Sequence, residues 1–386
     1  MATGMTVAVW DEAAFAAARQ SWERLVAASD ADPLFLGWDW LYGWWRHFGV
    51  PGGAALRLLA VHDGDGSLCG IAPMMVTAER VRGVLPSRRL QLVGNFWHGA
   101  ETLPTEYADF IVRRDCAEAA ADVLLECLLG QDQWGELVLA WARADGHAVR
   151  ALRRRAGAEG LWLRDAEYRT SYAADTAGRF EDYLAGLSRN TRPKLYNRRG
   201  QLARHGEVRV ERLARRADVE PGLALVNDLH ARRWGRPAYT GAALAFQQGL
   251  AQALAARGGL WLSVLRVANR PVSVLYNLRV GRRLYFLQGG FDETFDRRLS
   301  PGLLHLGYLL EAAFADPQVE VLDLLAGGGR TRQYKDALAP VRTPLVDVQA
   351  VRQPLLSLAY RVRERIRAGG SANRAMAGYA HMEERR

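Results

Sequence analysis

Apolar residues recur along this chain with two periods, and the alternation between them lays out its elements. Over residues 11–29 alanines, Phe15, Trp22, Leu25 and Val26 fall every three or four positions, which predicts an amphipathic helix ended by Asp32-Pro33. Residues 35–49 repeat the helical period with Trp38, Leu41, Tyr42, Trp45 and Phe48, and an aromatic stripe this dense reads as core. The period then switches to that of strands. Residues 56–61 and 68–78 flank Asp63-Gly64-Asp65-Gly66 and predict a hairpin. Apolar segments at 90–93 and 107–112 enclose an irregular loop, 94–106, long enough to predict a functional role. A helix at 116–129, a strand at 136–141, a helix at 147–157 and a strand-like run at 161–172 follow.

A second passage with the same grammar begins there. Helices are predicted at 180–186 and 191–205, a strand at 207–213, helices at 219–234 and 242–257, and three strands between Trp261 and Gln288. Gly289 and Gly290 are expected to stop the last of these. A helix over 300–314, a buried strand at 319–325, a short helix begun by Tyr334-Lys335 and a strand at 343–348 complete it. LRLLAVHDGDGSLCGIAPMMV and LWLSVLRVANRPVSVLYNLRV are hairpins of like length, each placed after a helix. The parallel predicts an internal duplication: an α/β (α+β) chain with a first half at 1–170, a second at 171–350, and a basic tail at 351–386, helical to about residue 367 and loose beyond it. Each half would carry a mostly antiparallel mixed sheet flanked by helices.

Composition narrows the function classes. A chain of 386 residues that is 49% hydrophobic has enough apolar material for two cores and is not disordered. It has no apolar run of membrane-spanning length, and its first residues lack the basic and apolar regions of a secretory signal, so a cytoplasmic protein is expected. Cys69, Cys116 and Cys127 show no metal-ligand or disulfide spacing, and no metal is expected. The net charge of +9 is carried almost wholly by arginine, with lysine only at Lys194 and Lys335, and such a field favours anionic ligands.

One stretch, residues 283–310, concentrates candidate chemistry. A strand leads through a loop with Arg297 and Arg298 to a helix opened by Ser300, Pro301 and Gly302. A helix N-terminus leaves backbone N–H groups unpaired and carries partial positive charge, so an anion placed there satisfies both. The basic segment Arg189, Arg192, Lys194, Arg198, Arg199 and Arg204 reads either as a solvated helix face or as a surface for RNA or a nucleotide-linked substrate.

IAPMM after a hairpin, SRNTRPKLYNRRGQLARHGEV, the strand ending in QGGFD, the LSPG helix start and LDLLAGG…YK, in that order over about residues 15–344, resemble the acyltransferase family linked to bacterial cellulose synthesis. That family belongs to the GNAT superfamily and is similar to the Fem-type aminoacyl transferases, which carry two GNAT-like folds in tandem. The resemblance implies a tandem GNAT-like fold and acyl transfer from acyl-CoA, acetyl-CoA above all, to an amine. It places Leu287, Gln288 and Gly289 against the pantetheine arm and Arg297, Arg298, Leu299, Ser300, Pro301 and Gly302 at the pyrophosphate. The usual spaced glycines of a GNAT pyrophosphate loop are absent here.

Thioester aminolysis needs a neutral amine, a stabilised oxyanion and a proton for the departing thiolate. Asp323 is the candidate base or ammonium ligand, or else caps a backbone turn. Tyr334 is placed to protonate the thiolate, and Lys335 to steady the oxyanion or bind an acceptor anion. Trp97, His98, Tyr107 and Asp109 are expected to line the acceptor cleft, for a sugar, amino acid or other small amine. Two further readings stay open: a Fem-type transferase using aminoacyl-tRNA, and a non-catalytic protein using the fold for binding.

Overall fold

The computed structural model describes residues 4–81, 85–98, 102–296, 298–327 and 330–362. Its first half runs β1 (Thr6–Trp10), α1 (Glu12–Ala17), α2 (Arg19–Ala27), α3 (Trp38–Trp44), β2 (Ala55–His62), β3 (Leu68–Val81), β4 (Leu85–Leu92), β5 (Ile111–Val112), α4 (Ala117–Leu129), β6 (Glu136–Arg143), α5 (His147–Arg155) and β7 (Trp162–Asp175). The second runs α6 (Phe180–Gly186), α7 (Arg199–Ala203), β8 (Val208–Leu213), α8 (Val219–Trp234), α9 (Gly241–Ala255), β9 (Leu260–Val267), β10 (Arg270–Val280), β11 (Arg283–Phe291), α10 (Pro301–Ala315), β12 (Val321–Ala326), α11 (Arg330–Leu338) and β13 (Val341–Val351). The tail is helical over 354–362, and the rest of the predicted tail lies outside the described residues.

The strand path repeats. In the first half an antiparallel meander β2-β3-β4 is followed by the crossover helix α4 and by β6, which lies parallel to β4. In the second the antiparallel meander β9-β10-β11 is followed by α10 and by β12, parallel to β11. All join one continuous sheet in the order β1-β2-β3-β4-β6-β13-β7-β12-β11-β10-β9-β8, with β5 beside β3. The join is an exchange. β7, the last strand of the first half, pairs with β12 of the second, while β13, the last of the second, pairs with β6 of the first, and the two lie antiparallel to each other. Residue 170, the expected boundary between halves, therefore lies within β7, which pairs on both sides with strands of the second half.

The aromatic stripe is core, and specifically the core between halves. Trp40 and Trp44 are buried on α3, and Trp40 meets Phe246 of α9 edge-on at 5.1 Å. Gly43 lets the two helices approach, since a Cβ there would lie 3.1 Å from the Phe246 ring. The predicted helix over 11–29 bends at Ala18 into α1 and α2, with Phe15 and Trp22 stacked across the bend at 5.1 Å. The predicted helix over 191–205 also breaks, into a wide turn at Pro193–Asn197 and α7. That turn presses the Leu195 carbonyl onto Gly307 of α10, where a Cβ would sit 2.1 Å from the oxygen. Gly307→Ala is expected to cost about 1–3 kcal/mol through this overlap with backbone that has nowhere to go. Urea unfolding checks it, and an unchanged midpoint would remove the claim.

Candidate active site

The site forms where β11 and β12 part. The strands pair only through Arg283–Tyr285 against Val321–Asp323. Beyond that, each carries a bulge. Tyr276 faces Gln288 and Asn277 faces Phe286, so Leu287 is an extra residue on β11; Leu324 is likewise extra on β12, and Leu325 takes φ 62°. Bulges bend their strands and leave backbone groups off the ladder. β11 continues through Gly289 and Gly290 to Phe291, where the sequence had suggested a stop, because its partner β10 continues with it. Gly290 serves a close approach instead: a Cβ would lie 2.8 Å from that of Leu229 on α8.

The opening is a cavity of about 480 Å³. Leu287, Gln288 and Gly289 form one wall, Ser300 and Gly302 at the start of α10 another, and Glu106, Tyr334 and Lys335 stand at the β12 side. Helix α10 begins with Ser300 as N-cap, its side chain making no capping bond, and Pro301 at N1, so first-turn N–H groups remain for a ligand. Pro301 itself is buried, and Leu299 packs into a small cluster with Leu202, Val272 and Leu304. Arg298 is exposed, with its guanidinium on Asp296. Arg297 lies outside the described residues.

The carboxylate at this cavity is one that the sequence reading passed over. Glu106 is buried, accepts from the Ala326 N–H at 2.8 Å and faces Lys335. Burial raises its pKa, with the Asp323 charge adding and the Ala326 bond and Lys335 opposing, to about 7. Lys335, 8% exposed in the middle of α11, donates to the Ala326 carbonyl at 2.7 Å and the Leu325 carbonyl at 3.3 Å. Burial lowers its pKa against the pull of Glu106 and Asp323. Burial pushes the Tyr334 phenol up to about 12, which keeps it a proton donor.

Asp323 stands behind the wall and does not line this cavity. It is fully buried, accepts from the Leu325 N–H and the Tyr107 hydroxyl, each at 2.8 Å, and pairs with Arg283 at 2.9 Å. Of the two roles foreseen for it, the turn-capping one is seen in the bond from the Leu325 N–H, while its charge is paired with Arg283 and not presented to this cavity. Tyr107 reaches Asp323 from the first half and does not join the cavity of Glu106; it lines a second cavity, of about 770 Å³, with Asp32 and Arg283. Asp109 is used elsewhere: its carboxylate accepts the N–H groups of His147 and Ala148 at 2.8 and 2.7 Å and caps α5.

Trp97 and His98 belong to the first half's own split. There β4 and β6 pair only through Arg89–Gln91 against Glu136–Val138 and then part. Trp97 fills much of the opening: it is buried, its Nε1 donates to Asp347 at 3.0 Å, the Arg89 guanidinium lies 4.9 Å over its ring, and the His98 ring lies tilted against it at 4.3 Å. What remains is a cavity of about 290 Å³. The structure therefore brings together Leu287, Gln288, Gly289, Ser300, Gly302, Tyr334 and Lys335, and separates Trp97, His98 and Asp109 from them.

Residues 189–336 match the acetyltransferase (GNAT) domain family. No curated protein sequence matches the chain. Among solved structures the chain is similar to FemX, with TM-score 0.59 and 11% identity, covering 92% of this chain and 99% of that one. It is also similar to a conserved protein of unknown function from Bacteroides thetaiotaomicron, at TM-score 0.54, 12% identity and 87% and 97% coverage. A third is the C-terminal domain of a putative lysylphosphatidylglycerol synthetase from Agrobacterium fabrum, at 0.51, 11% and 90% and 95%. At such identities the likeness concerns fold, and its coverage includes both halves. Fold and domain match together make this an acyltransferase of GNAT-like architecture, with the matched domain in the second half. No helix among the described residues is long and apolar enough to cross a membrane.

Proposed function

We propose that the chain is an N-acyltransferase that takes an acyl group, acetyl in the simplest case, from acyl-CoA to a primary amine of a sugar, amino acid or other small metabolite. The observation that carries this reading is the split of β11 and β12 with Glu106 and Lys335 on one side and the start of α10 on the other. The residues suit the donor: an extended backbone edge at Leu287–Gly289 for pantetheine amides, and the first turn of a 15-residue helix for pyrophosphate. Gly302 fits a close approach there, as a Cβ would already lie 2.6 Å from the Phe291 ring. The thioester supplies an activated acyl group.

The remaining chemistry falls to this chain's residues. Glu106, titrating near neutrality, takes a proton from the acceptor amine. Lys335, fixed on two main-chain carbonyls, places positive charge beside the reacting carbonyl, and the Tyr334 hydroxyl is available to the leaving sulfur. Holding amine and acyl carbon together supplies a large share of the acceleration, up to about 7–11 kcal/mol in well-oriented systems. This reading keeps the chain with the acyltransferases linked to bacterial cellulose synthesis.

A second reading, with aminoacyl-tRNA as donor, draws on the fold shared with FemX over both halves and on the exposed basic residues Arg189, Lys194 and Arg204. Thermal unfolding with acetyl-CoA, longer acyl-CoAs and tRNA separates the two. A ligand at about 100 times its Kd adds about 2.7 kcal/mol, or about 3 °C for a chain of this size. A shift with a CoA ester supports the first reading. A shift with tRNA alone, lost steeply on adding salt, replaces it by the second, and no shift with any CoA ester overturns the first.

A further inference from the structure

Glu106 and Tyr107 are neighbours in sequence whose side chains serve different cavities. Tyr107 takes φ 55°, a left-handed backbone unfavourable for a bulky residue. Its side chain thereby runs to the second cavity while Glu106 faces the first. A buried chain of polar groups joins them. Ser171 of β7 has its Oγ 3.4 Å from Glu106 Oε2 and 2.5 Å from the Tyr107 hydroxyl. Tyr107 donates to Asp323 Oδ2 at 2.8 Å, and Arg283 holds the same oxygen at 2.9 Å. Asp32, whose carboxylate accepts from the Tyr285 hydroxyl, stands 3.8 Å from that guanidinium nitrogen on the second cavity's wall.

We propose that Ser171 and Tyr107 form a proton route through the sheet, from Glu106 at the acyl-transfer cavity to Asp323, which Tyr107 reaches from the wall of the second cavity. The route rests on the acyl-transfer reading, since its cargo is the proton that the acceptor amine sheds. Each hydroxyl has one proton to give. With Glu106 ionised, the Ser171 proton is divided between Glu106 and Tyr107. Once Glu106 has taken a proton the chain is aligned in one direction: Glu106 gives a proton to Ser171 Oγ, Ser171 gives its own to the Tyr107 oxygen, and Tyr107 gives its own to Asp323. Each hydroxyl gains one proton and loses one, Glu106 is again a carboxylate, and Asp323 holds the proton beside Arg283, Asp32 and Tyr285. Lys335 is the remaining charged group that faces Glu106.

The route is tested first without any ligand, by infrared titration of the Glu106 carboxyl in the full chain, assigned with Glu106→Gln. Tyr107→Phe keeps the ring and removes the relay oxygen, so the Ser171 proton turns wholly to Glu106. The Glu106 midpoint is then expected to move to lower pH, and to stay put when the same change is made in a Ser171→Ala background. The second arm is acetyl transfer from acetyl-CoA to glucosamine. There Tyr107→Phe and Ser171→Ala are each expected to lower kcat about tenfold with a larger solvent deuterium isotope effect and an unchanged KM for acetyl-CoA, and Ser171→Thr to retain the wild-type values. A Glu106 midpoint indifferent to Tyr107→Phe overturns the route even if transfer is confirmed. A coupled midpoint in a protein that no CoA ester stabilises overturns the acyl-transfer reading and removes the route's cargo with it.

Discussion

Glu106→Gln is expected to lower kcat about 100- to 10,000-fold, the range that a positioned general base supplies, while leaving acyl-CoA binding in place. The substitution keeps the shape and an acceptor oxygen for the Ala326 N–H, and removes only the ability to take a proton. The wild-type rate should rise with pH and level off above about 7, because Glu106 is raised to about 7 and must be ionised to act. That limb should be missing from the residual activity of the variant. Stability has the opposite slope. A carboxyl that holds its proton more tightly folded than unfolded contributes stability at low pH and loses it as pH rises through the folded value, here from about 4.5 to about 7. The glutamine variant should show a flatter stability profile over that window. Full activity with an unaltered pH profile in Glu106→Gln would reject this base.

Separating the halves should abolish folding of both. Residues 1–176 lack β13, which pairs with both β6 and β7, and residues 177–386 lack β7, which pairs with both β12 and β13. Each piece would expose the edge of a sheet designed to be interior and lose the aromatic core between α3 and α9. A domain holds only about 5–15 kcal/mol of net stability, less than the loss of a central strand and half of a core removes. Neither piece should melt cooperatively in circular dichroism, and co-expression of the two should restore a single transition. Two cooperative, independent transitions would show that the exchange is dispensable.

The sequence disclosed the elements more readily than their partners. α8 and α10, the hairpin β2-β3 and the burial of the aromatic stripe follow from periodicity, which is a local property. The exchange of β7 and β13 is not local, since nothing in SYAAD or PLVDV says which distant edge each will meet. At the site, Ser300 and Gly302 were within reach because they open a recognisable helix, whereas Leu287–Gly289 were reached through the resemblance and Tyr334 and Lys335 through the chemistry that acyl transfer needs. Glu106 was not singled out although its loop was, because the order of the chain does not distinguish it from Asp109, three residues on. Only the three-dimensional path separates them, sending Asp109 to the start of α5 and Glu106 across to β12. Trp97 stands at the opening between β4 and β6, and loop order alone does not reveal which of two repeated openings a loop enters.

A dimer of two identical GNAT-like chains would have to build the same surface at both of its openings, because two-fold symmetry allows no specialisation. Joined in one polypeptide, the halves are released from that rule. Trp97 fills much of one opening, and the loop that carries it continues to Glu106, which stands in the other. The chain is in this sense an asymmetric dimer made permanent, and calorimetric titration should find one acyl-CoA bound per polypeptide, where two equivalent repeats would bind a pair.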